Sequence, residues 1–103
     1  MDNTIEKIVP LRERVGLIVE RLHPVKRGRY QYLEGSTGIK ASSWQNIFRT
    51  GPKATQPSSD MLEALARTAP HFAFWLITGV ADAESGHYDP RDPDAAPWRT
   101  GAE

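Results

Sequence analysis

Apolar positions recur along this chain at helical spacing. After Pro10, residues Leu11, Val15, Ile18 and Leu22 fall at i, i+4, i+7 and i+11, and Val19 widens the stripe. That spacing places them on one face of an amphipathic helix. Pro10 suits the first helical position, where an N–H would find no partner, and Pro24 ends the pattern. Residues 25–28 read as a connector. Tyr30 and Leu33, three apart, predict a short second helix over residues 29–34, closed by the turn signal Gly35-Ser36-Thr37-Gly38. A third helix is expected over residues 42–50, with Trp44, Ile47 and Phe48 inward, and Gly51-Pro52 stops it.

Gln56-Pro57-Ser58-Ser59-Asp60 opens a fourth helix. Either serine can cap it, and Asp60 suits its first turn. Met61, Leu62, Leu65, Ala66 and Ala69 make its apolar face. Pro70 breaks it and can start a fifth helix through Phe72, Trp75, Leu76 and Ile77, which Thr78-Gly79 ends. Residues 1–9, with Ile5, Ile8 and Val9, read equally as a short helical turn or an arm. Beyond Gly79 the periodicity stops. Pro90, Pro93 and Pro97, four aspartates, and scattered Ala and Gly predict an extended or disordered tail, with Trp98 its one large anchor. No stretch alternates as a strand would. The expectation is an all-α chain of five helices, with an arm or turn at 1–9, a helical domain at 10–80 and an acidic, Pro-rich tail at 81–103.

Composition narrows this little. A chain of 103 residues forms one domain. It has no cysteine, which excludes disulfides and thiolate metal sites. No apolar run approaches the roughly 20 residues a membrane span needs. Met1-Asp2-Asn3-Thr4 does not begin a secretory signal. A cytoplasmic location with no membrane association is expected. Charge changes the picture more. The formal net charge is zero, yet residues 1–81 carry 11 Lys/Arg against 7 Asp/Glu, a net +4, and residues 82–103 carry 2 against 6, a net −4. Between residues 21 and 53 stand Arg21, Lys26, Arg27, Arg29, Lys40, Arg49 and Lys53, with Glu34 the only acid. Such asymmetry suggests a polyanionic partner, although a solvated basic face would look the same.

Short helices with a tight glycine-containing turn between the second and third suggest a helix-turn-helix. That device needs a turn residue tolerant of unusual φ (Gly38), a following residue that tucks inward (Ile39), and a reading helix anchored on one side and polar on the other. Leu33, Gly38-Ile39, Trp44, Ile47, Gly51, Pro57-Ser58, Ala66 and Trp75-Leu76-Ile77-Thr78-Gly79 stand in an order that resembles the lambda repressor and Cro-like, Xre-type helix-turn-helix domains, over about residues 11–79. The sequence departs from that pattern at Glu34, where a small residue is usual, so that either Glu34 points outward or the turn geometry differs. It departs again at Thr37, at the bulky Trp44, and in the longer connector with Pro24 and Gly28.

The resemblance implies a DNA-binding transcriptional regulator, a repressor in expectation, that binds double-stranded DNA as a homodimer. It places DNA contacts in the turn, the third helix and the following loop. Lys40 and Ala41 lie in the turn region, and Ser42, Ser43, Gln45, Asn46 and Arg49 are the candidates to read bases. Gln45 and Asn46 can pair bidentately with adenine, and Arg49 with guanine or phosphate. Lys26, Arg27, Arg29, Lys40 and Lys53 are the candidates for the DNA backbone. A wet helix surface would carry the same residue types. A non-catalytic adaptor or antitoxin-like module on the same scaffold is the alternative, motivated by Glu34 and the zero net charge.

Other chemistry finds no support in the sequence. His23, His71 and His87 are far apart without ligand-spaced partners, so no metal is expected. Asp89, Asp92 and Asp94 resemble a calcium loop only superficially. Ser36, Ser42 and Ser43 lack a nucleophile-elbow context, and no glycine loop for phosphate is present. Neither catalysis, a cofactor nor a small-molecule substrate is suggested. Trp44, Phe48, Phe72, Phe74 and Trp75 sit at helical spacing and are expected in the core rather than as stacking platforms. The acidic tail is expected to be an unstructured end. The competing readings are an electrostatic mimic lying over the basic face and, through Trp98, a partner contact.

Overall fold

A computed structural model describes residues 8–95 of the chain. Residues 1–7 of the arm or turn expected at 1–9, and the end of the tail, with Pro97 and Trp98, lie outside them. Five α-helices follow one another: α1 (Leu11–Leu22), α2 (Arg29–Thr37), α3 (Ala41–Ile47), α4 (Ser59–Thr68) and α5 (Ala73–Thr78). Short 3-10 turns stand at Pro70–Phe72 and Ala83–Ser85. Among the described residues there is no strand beyond a single antiparallel pairing of Asp82 with His87. None of these helices is long and apolar enough to cross a membrane.

The predicted stripes meet in one core. Val15, Ile18 and Val19 of α1 join Leu33 of α2, Trp44 and Ile47 of α3, Met61 and Leu65 of α4, and Phe72, Trp75 and Leu76 around α5. Helix α2 packs on α3 and α4, α4 on α5 and the 3-10 turn before it, and α1 on α5. The ends are chemically marked. Ser58 caps α4 by accepting the Met61 N–H, with Asp60 in the first turn and Arg67 in the last. Gly38 and Gly79 close α2 and α5, each in the left-handed region at φ 79°.

Four features differ from the sequence reading. Helix α2 continues through Gly35, Ser36 and Thr37 instead of turning there. The Ser36 and Thr37 hydroxyls donate back to the carbonyls of Tyr32 and Leu33 at 2.8 and 2.6 Å, so both residues are satisfied inside a helix. The turn is therefore only Gly38, Ile39 and Lys40. Helix α3 ends at Ile47 rather than Thr50. Its last turn tightens through Phe48 N–H to Gln45 O and Arg49 N–H to Asn46 O, and Asn46 O also receives the Thr55 N–H from the following loop. Helix α5 buries Trp75 and Leu76 but leaves Ile77 60% exposed, because a helix of six residues has only one inward stripe. Phe74 is likewise exposed rather than core.

The fourth difference is the segment after Gly79. Up to Ala95 it is not an unstructured end but a strap folded back on the domain. The Tyr88 N–H donates to His71 O at 2.9 Å, Pro90 is buried, and Ala95 is fully buried. Arg21 of α1 donates to Pro90 O at 2.5 Å and Asp92 O at 3.2 Å. Arg91 pairs with Asp89 and lies over the Trp75 ring. The attachment uses backbone carbonyls, prolines and an alanine, which is why a composition rich in Asp and Pro concealed it.

Candidate nucleic-acid interface

The α2–α3 pair is held by side chains at its turn. Glu34 is exposed, the first of the two alternatives its size left open, and its carboxylate accepts the Ala41 N–H at 2.9 Å. Lys40, the residue preceding α3, gives no side-chain cap, so Glu34 supplies one from the neighbouring helix. The Thr37 hydroxyl accepts the Ile39 N–H at 3.1 Å, and Ile39 packs on the core. These contacts fix where α3 begins. Its inner face is fixed by Trp44 and Ile47, both fully buried. The Trp44 indole N–H has no hydrogen-bond partner, a cost on the order of 1–3 kcal/mol. Burying some 200 Å² of indole at about 25 cal/mol/Å² returns roughly 5 kcal/mol, so Trp44 remains a net anchor.

The candidate base readers divide into two groups. Ser42, Gln45 and Arg49 are exposed and lie at i, i+3 and i+7, the side opposite Trp44 and Ile47. Arg49 stands beyond the helix end, its guanidinium 3.4 Å from the Asn46 side-chain oxygen. Ser43 and Asn46 are half-buried and line a cleft of about 330 Å³ against Thr55, Gln56 and Asp60. Ala41 is half-buried at the head of α3. Sequence reasoning did not single out Thr55, Gln56 or Asp60 as part of this surface. Only the cap motif at Ser58 pointed near them.

The candidate backbone contacts also divide. Lys26, Arg27, Lys40 and Lys53 are exposed, and none of them has an ion-pair partner among the described residues. Arg29 is half-buried and used internally, donating to His23 O at 2.9 Å and Pro24 O at 2.8 Å. It satisfies carbonyls left over where α1 ends. Tyr32 is exposed beside His23, and Tyr30 stacks on Phe48 beneath the surface.

Two arginines that the sequence reading counted only as charge, Arg14 and Arg21, prove structural. Arg14 is only 8% exposed, yet no carboxylate meets it among the described residues. Its guanidinium donates to Leu76 O at 2.8 Å, near the end of α5, and to Val9 O. Burial lowers its pKa. A cation suits the negative end of a helix. The signal was present: Arg14 stands three after Leu11 and four before Ile18, inside the apolar stripe, and Arg21 stands three after Ile18.

No group of three or more His, Asp or Glu among the described residues could hold a metal ion. The arrangement offers hydrogen-bond donors and acceptors on the outer face of α3 and around the cleft beside it. The fold and site define an all-α domain with a polar, partly basic helix face. No protein family, no curated protein and no solved structure matches the chain.

Proposed function

We propose that this protein is a sequence-specific double-stranded DNA-binding transcriptional regulator of the repressor kind, with α2, the Gly38–Lys40 turn and α3 acting as a helix-turn-helix. The observation that carries the reading is the two-sidedness of α3. Trp44 and Ile47 are fully buried on one side, while Ser42 and Gln45 face outward on the other, with Arg49 just beyond. A short helix anchored by a tryptophan and capped by a neighbouring helix keeps its outer groups in fixed positions, which base reading in the major groove requires. Lys26, Arg27, Lys40 and Lys53 are exposed and without an ion-pair partner among the described residues, and so available to phosphates that set register. The lambda repressor and Cro-like resemblance points the same way, as does the split of charge along the sequence.

In this reading Gln45 and Arg49 are the principal base readers and Ser42 a supporting one. Ser43 and Asn46 act from the cleft beside Thr55 and Gln56. The protein works in the cytoplasm as a homodimer on a roughly palindromic operator, with half-sites about 34–36 Å apart. Titration of duplex DNA at two salt concentrations tests it. Affinity is expected to fall steeply with salt, because each phosphate contact releases counterions. Binding that is weak and insensitive to salt would favour an adaptor instead. Within a selected operator, Gln45→Ala with Arg49→Ala is expected to remove about 1–3 kcal/mol of base discrimination per lost bidentate pair, with helix content unchanged. Unaltered discrimination would move the reading surface elsewhere.

A further inference from the structure

On the side where the strap meets α1, a cleft of about 500 Å³ opens between Arg21, Arg29 and Arg91, with Glu20 on its rim and Pro24 and Pro90 as walls. Three guanidiniums around one cavity are unusual for a chain of zero formal charge. Each is held in place by a different local bond. Arg21 is bound to the carbonyls of Pro90 and Asp92, Arg29 to those of His23 and Pro24, and Arg91 to the carboxylate of Asp89. Carbonyls orient a guanidinium without neutralising it. Among the described residues neither Arg21 nor Arg29 has an ion-pair partner. Each guanidinium also has more N–H donors than these bonds use. The cleft therefore combines pre-oriented forks, spare donors and an excess of positive charge, which is the chemistry that binds oxyanions.

We propose that this cleft is a phosphate-binding site, formed jointly by α1, the first residue of α2 and the strap. A tetrahedral oxyanion offers more acceptors than a carboxylate and can meet forks arriving from three elements. Because Arg91 belongs to the strap, Arg21 is bonded to it and Arg29 opens α2, an occupied site ties the strap to the helix that carries the turn. The site rests on the cavity and its arginines, and does not depend on how α3 is used. Its phosphate comes either from a free phosphorylated small molecule or from a duplex backbone passing this flank.

The test is titration of inorganic phosphate against chloride at matched ionic strength, read by the arginine Nε–Hε resonances of the full chain. Saturable shifts confined to Arg21, Arg29 and Arg91 are expected, with a dissociation constant on the order of 1 mM. Glu20→Gln removes the one rim anion without touching a structural bond and is expected to tighten binding about three- to tenfold. Arg91→Gln is expected to weaken it by a similar factor. Should Arg29→Ala unfold the loop it holds, these two variants still read the site. Shifts spread without saturation over the exposed arginines Arg27, Arg49 and Arg67, or no shift in the three arginines, would overturn the inference. So would Glu20→Gln with unchanged affinity. Adding duplex then separates the sources. Displacement of bound phosphate identifies a DNA backbone site, and simultaneous binding identifies a free ligand. A chain that binds phosphate here but no duplex keeps this site and loses the DNA-reading proposal; the opposite result loses only the site.

Discussion

Gly79 shows how much one residue position decides. Its φ of 79° favours glycine, and a Cβ added there would run into the Ile8 side chain and approach the Arg14 guanidinium at 3.2 Å. Gly38 has the same φ but nothing within 4 Å of its would-be Cβ. The pair separates backbone strain from crowding. Gly38→Ala is expected to cost roughly 1–2 kcal/mol, the left-handed penalty alone. Gly79→Ala adds displacement of Ile8 and pressure on Arg14, the residue that closes α5 through Leu76 O. Its loss is expected to reach about 2–3 kcal/mol. Urea unfolding of both variants measures the difference. Equal losses would show that Ile8 gives way without cost and that Arg14 does not feel the change.

At the scale of elements, the helices were legible wherever a long apolar stripe met a marked end. Helix α1 announced itself through Leu11, Val15, Ile18 and Leu22, and α4 through its Ser58 cap. Helix α2 was the weakest pattern, since its nine residues bury only Leu33, and its true end lay hidden in a run of small residues that also spells a turn. The outward face of α3 was readable in its residue types. Its division between open surface and the cleft beside Thr55 and Gln56 was not, because that depends on where the α3–α4 loop returns. The strap was illegible for a different reason: its attachments are backbone carbonyls and one buried alanine, which leave no periodic trace.

One ion pair within the strap, which holds Arg91 near the Trp75 ring, is open to test by acid. Burial pushes the Asp89 carboxyl up, but its hydrogen bonds and charge interaction with Arg91 outweigh this and hold its pKa below the ordinary value. A carboxylate whose pKa is lower in the folded protein contributes stability above its unfolded pKa and loses it as pH falls through the folded value. The contribution should therefore be complete near neutrality and fade below about pH 4. Strap loosening in that range is expected to appear in the Tyr88 ring resonances before the α3 core signals change. Asp89→Asn should show the loosened Tyr88 signals already at neutral pH and little further change on acidification. A wild-type pH profile retained in Asp89→Asn would assign the effect to another acid.

Across the whole molecule the surfaces sort by chemistry. Polar and basic groups gather around α2 and α3, and the strap lies on α1 and over Trp75 of α5. Of the exposed large apolar side chains, Val25 stands alone in the α1–α2 connector and Tyr32 on α2, while three cluster on and just after α5. Phe74, Ile77 and Val80 are 41%, 60% and 49% exposed. Phe74 is partly covered by stacking on His87 at 4.5 Å, which leaves Ile77 and Val80 as the open pair. Ile8, itself exposed, lies against Gly79 beside them. A stable dimer buries about 800 Å² on each partner, and a patch of two or three aliphatic side chains supplies only part of that. The proposed homodimer should therefore be weak in free solution and completed on an operator, where two half-sites hold the copies together and raise their effective concentration. Sedimentation at micromolar concentration is expected to show mostly monomer, with a two-to-one complex on a palindromic duplex. Ile77→Asp is expected to remove cooperativity between half-sites, weakening full-operator binding about tenfold, or roughly 1.4 kcal/mol. Binding to an isolated half-site should be unchanged, because Ile77 lies off the reading surface. Cooperativity that survives Ile77→Asp would place the contact between copies away from α5.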